Sequence, residues 1–476
     1  MPMVEELRQA VKRDFPETIE HLAELVRIPA MAWDAYDPGQ LDLAAAEVAG
    51  LLRKAGMADV VLLQAPRPDG RPGSPAVVAR RPAKPGKPTI LLYAHYDVQP
   101  VGDVALWLSP PFEAVERDGR LWGRGAADNK AGVLLHVAAL RSVLRVLDVG
   151  FGMGITVFID GEEEAGSPSL PQLLQEHPAL LNADAMVVAD SGNWQVGVPA
   201  LTTSLRGLIL GTIEVRVLEH ALHSGTYGGP LLDAVTVLSR LIATLHDDDG
   251  AVAVRGLPVF EPEASADRVP EFDEVLFRAD AKVPPHTRLA GTGTLASRLW
   301  NKPALSIIGV DAPSVAESSD TLLPIARARF SLSLAPGTNT VEAMEAVRRH
   351  VEDHAPFGAD VRLIPGGRTE GFAGGTSFAA ARTMLDAMAE SWGVPAVCMG
   401  VGGSIPVVDT LSKLCPDAGI LITGAEDPDS RAHGANESIH LGDFQNAILA
   451  EALFLARLNS EPRTGHIKER NHHDHH

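Results

Sequence analysis

The stretch TILLYAHYDVQP, residues 89–100, decides the fold that we predict for this chain. Its apolar and aromatic residues run without interruption from Ile90 to Ala94, which is typical of a buried strand. The run leads into His95 and Asp97, an imidazole and a carboxylate that a buried strand does not need. Catalytic groups in α/β sheets tend to follow the carboxyl ends of strands, so this pair indicates a functional site at that edge.

The 476-residue chain has an ordinary globular composition, with 45% hydrophobic and 21% charged residues, and its length favours two domains. A net charge of −20 argues against nucleic acid and anionic membranes as partners. The two cysteines, Cys398 and Cys415, cannot form a disulfide framework. The sequence shows no signal peptide and no membrane span. We therefore expect a cytoplasmic protein.

The first 200 residues alternate helix-like and strand-like segments, which predicts an α/β domain with helices on both faces of the central sheet. We expect that sheet to be mixed. The early predicted elements are helices at about 3–28 and 40–55, a helix from Lys130, and strands at about 59–64, 75–80 and 89–94.

The pattern of predicted elements changes near residue 205. From there, strands and helices follow in an order that suggests a smaller α+β domain inserted into the first. A proline-rich stretch from 257 to 290 is expected to be irregular. The predicted boundaries are a catalytic domain in 1–204, an inserted domain in 205–378, the second part of the catalytic domain in 379–460, and a disordered tail in 461–476.

Seven polar residues follow apparent strand ends or lie on glycine-rich turns of the α/β part. Taken singly, each has an ordinary explanation, such as a helix cap or a solvated loop. Taken together they indicate a site, because bunched carboxylates repel one another unless a cation holds them. Imidazole and carboxylate ligands suit zinc or manganese. The seven residues are His95, Asp97, Asp128, Glu163, Glu164, Asp190 and His433.

The chemistry of these groups suggests separate roles. His95 can bind a metal while Asp97 orients its ring, and Asp128 can bridge two metals with its two oxygens. The neighbouring Glu163 and Glu164 are suited to different tasks, one as a ligand and the other as a general base. A water shared by two metals has a lowered pKa, and a nearby carboxylate can take its proton. This is machinery for hydrolysing an amide bond.

Several motifs in order resemble the co-catalytic dimetal (zinc) peptidase family. That family includes carnosinases, the cytosolic nonspecific dipeptidase, PepV-type bacterial dipeptidases, aminoacylase and glutamate carboxypeptidase. The resemblance spans nearly the whole chain and is strongest for the dipeptidase branch. The motifs are YAHYDVQP, WGRGAADNKAG, DGEEEAGS, VVADSG, LHSGTYGG, GGSIPVV and AHGANE.

The resemblance implies two divalent metal ions per subunit, zinc or manganese, and a role for each residue. It implies that Glu163 rather than Glu162 is the general base, because the family's base and ligand immediately precede the small-Gly-Ser turn. It also implies a cis peptide between Asp128 and Asn129. The implied ligands are His95 and Asp190 for one metal, Glu164 and His433 for the other and Asp128 for both, with Asp97 as the partner of His95.

The inserted domain carries a further candidate in the motif LHSGTYGG. Taken alone, His223 is an ordinary loop histidine. The resemblance implies that it polarises the scissile carbonyl in a neighbouring active site. It also implies that the inserted domain is a lid and dimerisation domain, and that a homodimer supplies His223 to the partner's site. Such a two-fold assembly is the commonest kind.

The chain departs from the dipeptidase pattern where the substrate is held. Ser333 stands where an arginine usually grips the substrate carboxylate, and Val401 stands where an acidic residue is more common. Arg329, Gly403 and Ser404 remain candidate substrate-binding residues. The leading hypothesis is a dipeptidase. The alternative is an amidohydrolase of N-acyl or N-carbamoyl amino acids, which a lost arginine clamp would favour. A non-catalytic metal-binding scaffold is a third hypothesis, against which the intact ligand set argues.

Overall fold

The structure is a computed structural model that describes residues 2–260, 269–376, 378–403 and 405–461. Its helices are α1 (Pro2–Val26), α2 (Gly39–Lys54), α3 (Lys130–Leu147), α4 (Leu170–Glu176), α5 (Ser224–Tyr227), α6 (Ala234–Ala243), α7 (Glu274–Asp280), α8 (Thr340–Asp353), α9 (Ala379–Trp392), α10 (Pro406–Leu414) and α11 (Leu441–Ser460).

The strands, in chain order, are β1 (Asp59–Leu63), β2 (Ala76–Arg81), β3 (Thr89–His95), β4 (Val115–Arg117), β5 (Arg120–Trp122), β6 (Gly154–Asp160), β7 (Ala185–Ala189), β8 (Ala200–Leu205), β9 (Gly207–Arg216), β10 (Leu222–His223), β11 (Ala304–Asp311), β12 (Thr321–Leu322), β13 (Ile325–Leu334), β14 (Asp360–Thr369), β15 (Phe372–Ala373), β16 (Val397–Val401), β17 (Gly419–Thr423) and β18 (Ser438–His440).

The chain divides into two compact units. The first unit comprises Met1–Thr203, Gly374–Met399 and Pro406–His476, and the second comprises Ser204–Ala373 and Gly400–Ile405. The second unit is therefore largely an insertion into the first. Within the described residues, no helix is long and apolar enough to cross a membrane.

The first unit is built on a mixed sheet whose strands follow the order β1-β2-β6-β3-β7-β17-β8-β15, with β16 paired to β8. The four central strands, β6, β3, β7 and β17, are mutually parallel, whereas β2 and β8 pair antiparallel at their two sides. The central strands are almost continuously apolar and buried, as expected for parallel strands covered on both faces. Their carboxyl ends consequently meet at one edge of the sheet.

Helices α1, α3 and α11 pack against one another in the first unit, and α11 also packs on α9. Every residue of α3 from Lys130 to Leu140 is buried, and most of α11 is buried too. One apolar cluster joins these helices to β3, β6 and β7. The core therefore fixes the strand ends and the start of α3, which together frame the polar edge.

The second unit contains an antiparallel sheet in the order β11-β13-β9-β14. Strand β13 alternates buried and more exposed residues, the pattern of a sheet covered on one face. Helices α6 and α8 cover that face, around a core that includes Ile213 and Phe330. Both helices begin at a side-chain cap, provided by Asp233 and Asn339 respectively.

The predicted α/β class, with a mixed central sheet and an inserted α+β domain, is confirmed. The expectation of an irregular stretch over 257–290 is wrong in part, because α7 forms there. The Asp273 side chain accepts hydrogen bonds from the backbone N–H groups of Val275 and Leu276, which caps the helix. The tail predicted to be disordered lies, from residue 462 onward, outside the described residues.

Candidate metal centre

The carboxyl edge of the first unit's sheet gathers the polar residues that the sequence singles out. His95 is the last residue of β3 and pairs with Asp160, the last residue of β6. Asp190 directly follows β7, and Glu163 and Glu164 lie in a short 3-10 turn after β6. Because these strands are parallel, their ends place the side chains together.

Three of these residues form a first triad. The His95 Nε2 atom lies 3.3 Å from Asp128 Oδ1 and 3.4 Å from Asp190 Oδ1. One ligand atom from each of the three residues lies within 4.8 Å of the others. His95 is fully buried, and its Nε2 makes no hydrogen bond within the described residues. A buried ring nitrogen that makes no hydrogen bond among the described residues and lies beside two carboxylates is a fitting ligand for a cation.

A second triad shares Asp128 with the first. The His433 Nε2 atom lies 2.9 Å from Asp128 Oδ2 and 3.2 Å from Glu164 Oε2. The three ligand atoms again lie within 4.8 Å of one another. The Glu164 Oε1 atom is buried and makes no hydrogen bond with the part of the chain that the structure describes. The two oxygens of Asp128 therefore face different histidines, Oδ1 toward His95 and Oδ2 toward His433, which is the arrangement of a bridging carboxylate.

Asp97 contacts both the histidine of the first triad and the turn that carries the two glutamates. Its Oδ1 lies 3.3 Å from His95 Nδ1, which also lies 3.1 Å from the Asp97 carbonyl oxygen. The same carboxylate accepts hydrogen bonds from the backbone N–H groups of Glu163 and Glu164, each at 3.1 Å. Burial raises the pKa of Asp97 to about 6, against the opposing effect of His95. One buried carboxylate thus orients the first triad's imidazole and both glutamates.

Glu163 lies beside the first triad without belonging to either triad. Its Oε2 is 3.9 Å from His95 Nε2. Burial raises the pKa of the Glu163 carboxyl well above its ordinary value, and the neighbouring carboxylates of Asp190 and Asp97 add to that rise against the effect of His95. A carboxyl with a raised pKa is suited to take and release a proton near neutral pH.

The carboxylates also act on the two histidines. Burial by itself lowers the pKa of His95, but Asp190, Asp128 and Asp97 together raise it well above the ordinary value. Hydrogen bonds to Asp128 and Glu164 raise the pKa of His433 to about 10. Both shifts have one cause, an excess of negative charge that attracts a positive one. A divalent cation at the triads would satisfy the same field and would require both histidines to be neutral.

Asn129, which the sequence indicated only as part of the implied cis peptide, links two residues of the first triad. Its Oδ1 accepts a hydrogen bond from the His95 backbone N–H at 3.3 Å, and its Nδ2 donates to Asp190 Oδ1 at 2.9 Å. The Asp128–Asn129 peptide is cis, as the resemblance implies. A Cβ atom on Gly132 would lie 2.3 Å from Asn129 Oδ1, so only glycine lets α3 begin this close to the triad.

A second missed pair, Glu437 and Arg124, ties the two ligand-bearing segments together. Glu437 is fully buried and accepts hydrogen bonds from the backbone N–H groups of Ala127 and Asp128, both at 2.9 Å. Arg124 donates to Glu437 at 2.6 Å and to the His433 carbonyl oxygen at 3.1 Å. The sequence signal was present, because Arg124 lies in WGRGAADNKAG and Glu437 ends AHGANE.

His223, the candidate outside the triads, belongs to the second unit. It is exposed and ends β10, which pairs with β12. Its Nδ1 accepts a hydrogen bond from the Gly225 N–H at 3.0 Å, so the ring has Nε2 available for another partner. The nearby His220, which lies outside the motif, is also exposed.

The candidate substrate-binding residues differ in their surroundings. Arg329 is exposed on β13 and lies on the same face as Ser333, because four residues along a strand return to one face. A Cβ atom on Gly403 would meet no heavy atom within 4 Å, so that residue borders open space. Ser404 lies outside the described residues.

Arg206 is a further cation of the second unit. It is half-buried, and its Nε donates to the Gly402 carbonyl oxygen at 3.2 Å. Burial lowers the pKa of its guanidinium. No carboxylate of the described residues pairs with Arg206 by hydrogen bond or ion pair, so its Nη atoms remain free for an anion.

Comparisons with known proteins place the chain in a family. Residues 91–457 match the model of a family described as Peptidase family M20/M25/M40. The cysteinylglycine-S-conjugate dipeptidase of Corynebacterium striatum is 36% identical over 372 residues, which cover 77% of this chain and 80% of that protein. A Cys-Gly metallodipeptidase of Saccharomyces cerevisiae is 25% identical over 475 residues, covering 94% and 96%. The crystal structure of human carnosine dipeptidase 1 matches with a TM-score of 0.77 at 25% identity, covering 96% of this chain and 99% of that chain.

Proposed function

The chain belongs to peptidase family M20/M25/M40, and from this premise we propose that it is a dipeptidase whose active centre holds two divalent metal ions. It is a metal-dependent hydrolase that acts on peptides. The observation that carries the proposal is the pair of triads that share Asp128, with one carboxylate oxygen facing each histidine.

The proposed ligands fit divalent zinc or manganese. His95 and Asp190 would hold one ion, Glu164 and His433 the other, and Asp128 both. Imidazole nitrogens and carboxylate oxygens suit these metals, and His95 Nε2 and Glu164 Oε1, which make no hydrogen bond among the described residues, supply buried ligand atoms. Divalent ions bound here would supply Lewis acidity, which polarises a carbonyl group and lowers the pKa of water.

The protein groups around the ligands would carry the proton transfers. Glu163 takes a proton from the attacking water as general base and returns it to the departing amine nitrogen. Asp97 fixes the tautomer and orientation of His95 and holds the backbone of the glutamate turn. His223 would stabilise the negative charge that develops on the scissile carbonyl oxygen.

A small peptide is the proposed substrate, in line with relatives that are named as dipeptidases. The named relatives do not favour the alternative, hydrolysis of N-acyl or N-carbamoyl amino acids. Gly403, Ser404 and Arg329 remain candidates for holding the substrate, and the unpaired guanidinium of Arg206 joins them as a partner for its carboxylate.

The proposed assembly is a cytoplasmic homodimer in which the second unit serves as lid and dimerisation domain. In that assembly each subunit lends its His223 to its partner's site. The exposed His223 ring, with its Nε2 available, supports this role. Two cysteines are too few for a disulfide framework, which suits a reducing compartment.

A hydrolysis screen tests the reaction. Metal-free protein is given zinc or manganese and then dipeptides, N-acyl amino acids or N-carbamoyl amino acids. We expect dipeptides to be cleaved fastest, and His95→Ala to lose metal and nearly all activity. Preference for acylated substrates would replace the proposal with the amidohydrolase alternative. Full metal content and normal turnover in His95→Ala would refute the proposed centre.

Mixing two inactive variants tests the shared site. His223→Ala and Glu163→Ala are combined under conditions that let subunits exchange. A heterodimer then contains one site with both groups intact, so activity should return. Continued inactivity, with exchange shown independently, would exclude donation between subunits. His220→Ala, a change in the same exposed segment, is the matched control and should remain active throughout.

A further inference from the structure

Glu426 lies near the candidate metal centre but has no role in the reaction as described so far. It follows β17 by three residues and precedes His433 in the same connection. Its carbonyl oxygen accepts a hydrogen bond from the Asn193 N–H at 2.7 Å, and its backbone forms a parallel bridge with Gly192. Glu426 is therefore fixed beside the segment that carries Asp190.

The Glu426 carboxylate differs from the buried carboxylates of Asp427 and Glu437 because no cationic group of the described residues pairs with it. Asp427 pairs with Arg120 at 2.8 Å, and Glu437 pairs with Arg124 at 2.6 Å. The Glu426 side chain is half-buried, yet it makes no hydrogen bond or ion pair with any part of the chain that the structure describes. A carboxylate removed from water without a partner is costly, and a ligand that pairs with it would remove that cost.

The charges around Glu426 favour a cation as that ligand. Burial raises the pKa of its carboxyl well above the ordinary value, and Asp128, Asp190 and Glu437 raise it further, while His433 opposes them. Divalent ions at the triads would neutralise the ligand carboxylates, but Glu426 lies outside both ligand sets. It therefore stays available to a positive group on the substrate.

We propose that Glu426 binds the free α-ammonium group of the substrate and thereby selects dipeptides over N-acyl amino acids. The inference rests on the proposed function, because it assigns a specificity-determining residue to the same site. An ammonium group next to the scissile amide is present in every dipeptide and absent from every N-acyl amino acid. Pairing with it would give Glu426 the partner that the chain does not provide.

Two molecules of nearly the same shape test this assignment. L-Ala-L-Ala carries the ammonium group, and N-propionyl-L-alanine has the same skeleton without it. In Glu426→Gln, we expect kcat/KM for Ala-Ala to fall about 10- to 100-fold, mainly through KM, as for the loss of a hydrogen bond to a charged group. The inhibition constant of N-propionyl-alanine against Ala-Ala should stay within about twofold of the wild-type value. That constant is measurable even if the analogue is not cleaved.

Controls separate recognition from other roles. Asp429→Asn, in the same connection and exposed, should leave both values unchanged. Glu426→Asp, which keeps the charge, should retain more Ala-Ala activity than Glu426→Gln. An equal loss for both molecules, a fall in metal content, or unchanged Ala-Ala kinetics in Glu426→Gln would each overturn the inference. If the wild-type enzyme cleaves no dipeptide, the proposed function itself fails, and that result is obtained before any variant is compared.

Discussion

Replacing Asp97 by asparagine should weaken metal binding, catalysis or both, because one carboxylate contacts three neighbouring residues. In Asp97→Asn an amide nitrogen replaces one carboxylate oxygen, and the negative charge beside His95 Nδ1 disappears. One of the 3.1 Å hydrogen bonds from the Glu163 and Glu164 N–H groups is then lost. Losing a hydrogen bond to a charged acceptor costs about 1.5–3 kcal/mol, which is about 10- to 100-fold in an equilibrium constant. Removing the carboxylate partner of a metal-binding histidine has a cost in the same range.

The assay is a metal titration of dialysed protein, followed by kcat/KM for a dipeptide at saturating metal. We expect the metal affinity of Asp97→Asn, its kcat/KM, or both to fall about 10- to 100-fold. Asp118→Asn is the matched control, since that side chain is exposed and already has a positive φ that asparagine tolerates. Metal affinity and turnover within about twofold of wild type in Asp97→Asn would refute the reasoning.

Three further outcomes are expected. Glu163→Gln should keep its metal content while its turnover falls by at least about 100-fold, because the general base is lost and the ligands remain. Glu164→Gln should instead lose metal. Metal loss in Glu163→Gln would show that the roles assigned to the glutamates are shifted by one residue. Ser333→Arg should lower KM for simple dipeptides about 10-fold or more. If KM is unchanged in Ser333→Arg and is raised in Arg206→Ala, then Arg206 already binds the substrate carboxylate. Burial disfavours the charge on His136, but its buried glutamate partner outweighs burial and raises the His136 pKa above 6.5. The stability that this ion pair adds is therefore full below about pH 6.5 and is lost as pH rises through the folded-state pKa. The gap in unfolding temperature between wild type and His136→Asn should narrow from about pH 6 to about pH 9, and a constant gap would contradict the assignment.

The sheet and its polar edge were predictable because their signals are local. The run from Ile90 to Ala94 predicts a buried strand, and a polar residue directly after such a strand is expected at the edge of the sheet. That expectation does not depend on residues elsewhere in the chain. Helix α7 carried a local signal as well, since Asp273 precedes it as a capping residue. That signal was outweighed by the prolines around it.

Contacts between distant segments could not be predicted in the same way. Arg124 and Glu437 are 313 residues apart, and nothing in the local pattern of either says that they pair. The second task of Asp97, binding two backbone N–H groups, depends on where the turn after β6 is held. That no group of the described residues pairs with the Glu426 carboxylate is likewise a property of the folded chain, because it depends on which distant side chains come near it.

The division of the first unit into separated stretches of chain has a consequence for how the protein is made. Helix α3 leaves the ribosome about 300 residues before α11, the helix that packs on it. At a synthesis rate of about 5–20 residues per second, roughly 15–60 s pass between the synthesis of α3 and that of α11. During this interval a broad apolar surface stays exposed, and His433 does not yet exist to complete the second triad. The nascent chain is thus expected to be most open to aggregation and chaperone binding while the inserted unit is synthesised, and the second triad can form only after His433 has been made, late in translation.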